Sequence, residues 1–274
     1  MVCGIDSVFE AGDQAAINRG YSFLSAFSTF FQNMPSQSEK LEAHASHLLD
    51  AFIQLRERYA MLEPMLLDPR VSQQHGSGAQ ARGFLTLRNS LFLSCAQDIA
   101  KLTFDEDART PSIKNLISAL NKDPLLCVEL QKKFAVWKFP SVETEADPEI
   151  VAALKRMEHQ KQTERSVQFD EILARARGAW ATFSVESYLS GFLTIRDKIT
   201  AHSEVLLVAD KYQFVDFGTL GIKWTDMKSA IERMQSLVED LGFVIRNAGF
   251  AWDMLDGQLT KASNAFWLVP GSAS

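Results

Sequence analysis

Long apolar runs are missing from this chain, and the lack is informative. No stretch approaches the ~18 consecutive apolar residues that a bilayer-spanning helix needs. The closest, residues 21–31, is short and serine-rich and reads as an aromatic helix seeking a partner. The start, Met1-Val2-Cys3-Gly4-Ile5-Asp6, lacks a basic region followed by an apolar run, so no secretory signal is expected. Cysteine is scarce and scattered: Cys3, Cys95 and Cys127 form no CxxC pair and no zinc-type spacing. That usage fits a reducing cytoplasm, and Cys95 and Cys127, set in apolar helical patterns, read as small buried hydrophobes. Glycine-rich phosphate loops of the GxGxxG and Walker types are absent, as are HExxH and GxSxG. His44 and His47 stand at i, i+3, but Glu42 is too close in sequence to complete a ligand set, so they read as surface histidines. His75 falls in an expected loop and His159 on a charged helix. No metal and no cofactor is expected. Excess positive charge is missing too: the net charge is -6, so any polyanion site must be local.

Helical periodicity is abundant. With 46% hydrophobic and 23% charged residues, the composition is that of an ordinary folded protein. Strand patterns are nearly absent and no internal repeat is visible, so the fold class is all-α: a bundle of long antiparallel helices. A first helix is expected over 13–34. Ser38 is read as the cap of a helix over 39–65, closed by Pro64 and Asp68-Pro69, before a loop at 73–78. A core helix follows over 79–104, ended by Asp105-Glu106-Asp107. Thr110-Pro111 and Asp123-Pro124 each open a helix, the second running through Leu126, Leu130, Phe134 and Trp137. Asp147-Pro148 caps a long helix, and Ser184 is read as the cap of the next. Residues 213–217, where Phe214, Val215 and Phe217 alternate, suggest a short extended arm. One last helix, capped by Thr225, is expected over 226–261. The expected domains are an N-terminal helical extension (1–37), a helical bundle (38–262) and a C-terminal tail (263–274), whose Phe266, Trp267 and Leu268 are expected to dock.

The stretch that carries chemistry is Ser190-Gly191-Phe192-Leu193-Thr194-Ile195-Arg196-Asp197-Lys198-Ile199-Thr200-Ala201-His202-Ser203-Glu204. Phe192, Ile195 and Ile199 recur at helical spacing, which buries one face. Arg196, Asp197 and His202 bring a permanent cation, a carboxylate and a titratable base close together in the chain. On a continuous helix, Arg196 and His202 are ~9 Å apart along the axis and roughly 120° apart around it. They converge on one ligand only if the helix unwinds before His202, or if a second copy supplies the partner. Lys155, Arg156, Lys161, Arg165, Arg175 and Arg177 add basic charge to the preceding long helix. Interleaved with acids, they suit a solvated face with ion pairs between turns; the alternative is a basic stripe beside the site.

Arg196 and His202 with five residues between them, the first of these the polar Asp197, near the end of an amphipathic helix, resemble the signature of the HEPN superfamily. Two flanking segments, Gly83-Phe84-Leu85-Thr86-Leu87-Arg88-Asn89-Ser90-Leu91 through Asp98 and Arg109-Thr110-Pro111-Ser112-Ile113-Lys114-Asn115-Leu116, with the order of the helices, resemble its phage abortive-infection branch. The resemblance covers about residues 38 to 260. It implies a helical bundle that pairs so that two motif helices meet, and a metal-independent endoribonuclease of toxin–antitoxin, abortive-infection or other antiviral systems. Carried onto this chain, it makes His202 the acid/base residue, Arg196 the phosphate clamp and Asp197 the group that orients them. The implied partners are RNA, a second copy of the chain and a neutralising antitoxin such as a nucleotidyltransferase-like protein; no membrane is implied.

Elementary chemistry is compatible with that division. A histidine near its ordinary pKa of ~6.5 can take a proton from a ribose 2′-hydroxyl or return one to a leaving oxygen. A guanidinium can meet charge building on phosphate oxygens with two hydrogen bonds. One histidine per chain is thin for two proton transfers, and pairing two chains supplies two. Lys198 and the basic side chains of the 155–177 helix are candidates for gripping the strand. The bland alternative is a histidine favoured by the helix dipole beside a surface Arg–Asp pair. Two other readings stand beside the ribonuclease: a non-catalytic HEPN-like helical module binding RNA or a protein partner, and a helical scaffold with no nucleic-acid role.

Overall fold

The computed structural model describes residues 36–200, 205–208, 211–214 and 220–268. The helix expected over 13–34 lies outside the described residues, as do Cys3 and His202. The chain separates into two compact units, Met1–Lys40 and Leu41–Ser274. Of the first, the described residues form the start of a helix. Ser36, not Ser38, is its cap: the Ser36 hydroxyl accepts from the Glu39 N–H (3.1 Å) while the Glu39 carboxylate accepts from the Ser36 N–H (2.7 Å).

That helix, α1, runs Gln37–Leu67. Within the second unit it buries Leu41, Ala45, Leu48, Phe52, Leu55, Tyr59 and Leu62. Their alternating steps of four and three residues make one apolar stripe, each large side chain contributing about 1.5–3 kcal/mol of burial as an upper estimate. Pro64 does not end α1; it stands inside its last turns. A proline there has no N–H for the carbonyl four residues back, which is Ala60. The freed Ala60 carbonyl accepts from the buried Ser263 hydroxyl at 2.7 Å, and the next carbonyl, Met61, accepts from Trp267 Nε1 at 2.9 Å. Asp68 then caps α2 (Pro69–His75), so Gln73–His75 is helical, not loop.

The core helix α3 (Ala81–Phe104) buries Phe92, Cys95, Ala96, Ile99 and Ala100. Ser112, not Thr110, caps α4 (Ile113–Lys122). Asp123 caps α5 (Pro124–Ala135) by accepting from two backbone N–H groups, and Trp137 falls beyond the helix end. Asp147 caps the 36-residue α6 (Pro148–Phe183), whose second half turns Phe169, Ile172, Leu173, Ala176 and Phe183 into the core. Ser184 ends α6 instead of opening the next helix: its N–H donates to the Trp180 carbonyl. The motif helix α7 is Leu189–Thr194, continued by a wider π-helical turn over Ile195–Thr200. Of the expected arm, residues 213–214 are described and close the second strand of a two-stranded antiparallel hairpin, β1 (Val205–Val208) with β2 (Lys211–Phe214), pairing Val205 with Phe214 and Val208 with Lys211.

The single last helix expected over 226–261 is two helices, α8 (Trp224–Arg246) and α9 (Trp252–Trp267). Asn247 separates them in the left-handed region, φ 52°, the conformation that stops a helix and that asparagine tolerates. Its N-cap is Lys223, not Thr225. Helix α9 lies against α1, joined by Ser263, Trp267 and the Arg56–Asp256 ion pair. Of the tail aromatics, Trp267 is buried with Met65, Val71 and Phe84, whereas Phe266 is exposed. The architecture is all-α apart from the hairpin, and among the described residues no helix is long and apolar enough to cross a membrane.

Replacing Ser263 with alanine strips the Ala60 carbonyl of its side-chain donor in a buried place. A loss of ~1–2 kcal/mol is expected, read as a lower urea midpoint with unchanged slope.

Candidate functional site

The site is built on the contact between α7 and α3. Leu189, Phe192 and Ile195 are fully or nearly fully buried, with Ile199 partly so, as the spacing predicts. Gly191 is buried among them. A Cβ there meets Ile222 Cγ1 at 2.6 Å, so glycine is needed for this close approach. Held on that side, the chain winds into the π turn, where each hydrogen bond spans one residue more than in an α-helix; such turns recur at functional sites. The widening alters the phase assumed for a regular helix through Arg196.

Arg196 is one-quarter exposed and its Nε donates to Asp197 Oδ1 at 2.6 Å; Asp197 is half exposed. The carboxylate thereby engages one edge of the guanidinium. Both line a cleft of about 550 Å³ with Leu193. Its other walls are Lys101 and Phe104 at the end of α3, the Asp105-Glu106-Asp107 turn, and Lys114 in the first turn of α4. Lys198 shares the π turn but is not part of this lining.

The electrostatics are close to balance. Three cations and four carboxylates line the cleft of the single chain. Lys114 Nζ meets Glu106 Oε1 at 2.5 Å, and this ammonium, with a smaller contribution from Arg196, holds the Glu106 carboxyl below its usual range. Arg109 grips Asp107 through its Nε and guanidinium NH2 and lowers that carboxyl to about 2. The turn itself is pinned to α4: the Ser112 hydroxyl donates to the Asp105 carbonyl (2.7 Å), and the Asn115 amide donates to the Asp107 (2.8 Å) and Thr110 (3.0 Å) carbonyls.

The basic residues of α6 divide. Lys161 pairs with Glu164 one turn on, as a solvated face would have it. Arg165, Arg175 and Arg177 instead reach neighbouring helices. Arg165 donates to the Phe134 carbonyl and to Asn247, Arg175 forks onto the buried Asp240, and Arg177 binds Asn121 and the Leu120 carbonyl. These three cations bind helix to helix. Cys95 is buried and its thiol is pushed up to about 12 by burial, which keeps it protonated and unreactive. Cys127, half-buried, donates to the Leu120 carbonyl.

A model of the HEPN AbiU2 family matches residues 38–266. The chain belongs to the HEPN AbiU2 family. This is a HEPN-type abortive-infection family, and the match spans α1 to α9 except the first residue of α1 and the last of α9, including Arg196, Asp197, Lys101 and Lys114. No curated protein and no solved structure matches the chain.

Sequence reasoning missed Lys101 and Glu106 as site residues and took the Asp105–Asp107 run only as a helix breaker. Lys114 stood in the quoted family segment 109–116 without a role. The available signal was that segment itself, whose Ser112 and Asn115 fold the acidic turn back onto α4.

Two measurements check this geometry. In a carboxyl-carbon NMR titration, Asp107 is expected to titrate at about 2 and to return toward ~4 in Arg109→Ala. Because the folded value is the lower one, the turn gains stability above the unfolded carboxylate pKa and loses it as pH falls through about 2. Gly191→Ala is expected to destabilise by ~1 kcal/mol net, since overpacking against Ile222 outweighs the helix-propensity gain; chemical denaturation reads it.

Proposed function

We propose that this protein is a metal-independent endoribonuclease of the HEPN type, a toxin or antiviral defence effector that cuts RNA at a site formed between two copies of the chain. The supporting observation is Arg196, its edge held by Asp197, at the mouth of a cleft in a chain of the AbiU2 family. In the reaction, the His202 imidazole takes the proton of the ribose 2′-hydroxyl, whose oxygen attacks the adjacent phosphorus. The bond to the 5′-oxygen breaks, and an imidazolium, from the second copy's equivalent residue or the same one, returns a proton to that oxygen. The products are a 2′,3′-cyclic phosphate and a 5′-hydroxyl. Arg196 meets the charge that builds on the non-bridging phosphate oxygens. An antitoxin, such as a nucleotidyltransferase-like protein, is the proposed restraint on this activity, and the cytoplasm its place.

The second reading, a non-catalytic HEPN-like module for RNA or a protein partner, draws on the carboxylate-rich lining of the cleft, which gives one chain no net attraction for a polyanion.

The deciding assay is cleavage of mixed single-stranded RNAs in EDTA. Arg196→Ala and His202→Ala are each expected to lower the rate at least ~100-fold, with the circular dichroism spectrum and self-association retained. Wild-type protein that leaves every RNA intact favours the module. Variants that lose self-association assign the motif a structural role.

A further inference from the structure

We propose that Lys101 and Lys114 form a second phosphate subsite beside Arg196, which takes a backbone phosphate flanking the scissile one, and that Glu106 fills this subsite while no RNA is bound. The proposal rests on the ribonuclease reading and names the neighbouring contacts that such a site needs.

Three features support it. Lys101, Lys114 and Arg196 come from three different elements, α3, α4 and the π turn, yet line one cleft of about 550 Å³. An anionic group already sits in the cleft: Glu106 bonds Lys114 at 2.5 Å, with Arg196 on the same lining. A phosphate oxygen that takes a hydrogen bond from Lys114 competes with this carboxylate for the same ammonium. Finally, the backbone of the turn is tied down through Ser112 and Asn115, whereas the Glu106 side chain is 77% exposed. The carboxylate can therefore swing out by side-chain rotation alone, and an exposed ion pair of this kind is weak enough for a phosphate to displace. Glu106 thus acts as a built-in competitor that favours strands able to engage both Arg196 and the lysines.

The test measures binding of a fluorescent single-stranded RNA, made uncleavable by 2′-O-methyl groups, to the full-length protein across a salt series. Glu106→Gln is expected to tighten binding about 3–10-fold. Lys101→Ala with Lys114→Ala is expected to weaken it about 10-fold or more, and to flatten the slope of log Kd against log salt by ~0.7 per lysine. Glu129→Gln, the same charge change on the distant α5, serves as the control and is expected to shift affinity less than 2-fold. Circular dichroism melts confirm that each variant is folded. If Glu129→Gln tightens binding as much as Glu106→Gln, or the lysine variant binds with wild-type affinity and slope, the subsite is overturned. Should RNA still be cut in an Arg196-dependent manner in that case, the ribonuclease reading survives. If the wild-type protein neither binds nor cuts RNA, both ideas fall together.

Discussion

The buried seam between α7 and α3 is the constraint on which the site depends. Phe192 and Ile195 are completely enclosed, and Gly191 lets the helix come close enough to touch Ile222. Because that face is locked into the core, the residues that follow cannot rotate away, and the π turn delivers Arg196 to the rim of a cleft. An arginine on a loose helix end would sample many positions. Here the packing sets its root, and Asp197 sets its head.

The same economy of charge runs through the rest of the bundle. Arg165, Arg175 and Arg177 look from composition like a surface stripe, yet each is engaged with a carbonyl or carboxylate on another helix. Asp240 is the clearest case: a nearly buried carboxylate, held by the fork of Arg175, which would be costly to leave unpaired. The cations that remain near Arg196 are fewer and come from other elements, and they are balanced by acids. Two of the three cations that line this cleft, Lys114 and Arg196, are each paired with a carboxylate of the same lining.

Proline and asparagine shape the far side of the molecule in a comparable way. Pro64 leaves a carbonyl of α1 without its usual donor, and α9 supplies one from Ser263. Asn247, in the left-handed region, folds the C-terminal helix back so that Ser263 and Trp267 reach α1 at all. Trp267 is thus part of the structure instead of a loose end, and the C-terminal half of α1 is clasped by a segment just over two hundred residues away in sequence.

The sequence by itself determined the helical class, the apolar faces of α1 and α8, the caps at Asp123 and Asp147, and the family. These follow from local rules: periodicity marks which face is buried, and a side-chain oxygen before a proline marks where a helix starts. What local rules weigh wrongly is a residue with two uses. Ser184 suits a helix start and in fact closes one; Pro64 suits a helix end and is carried through because a distant hydroxyl satisfies its orphaned carbonyl. Asn247 was passed over because a single polar residue barely disturbs an apolar period. The company of Arg196 was decided only by tertiary structure. Lys101, Glu106 and Lys114 carry no spacing that relates them to the motif, and they meet it because α3, α4 and α7 share one core and so bring their ends to the same place.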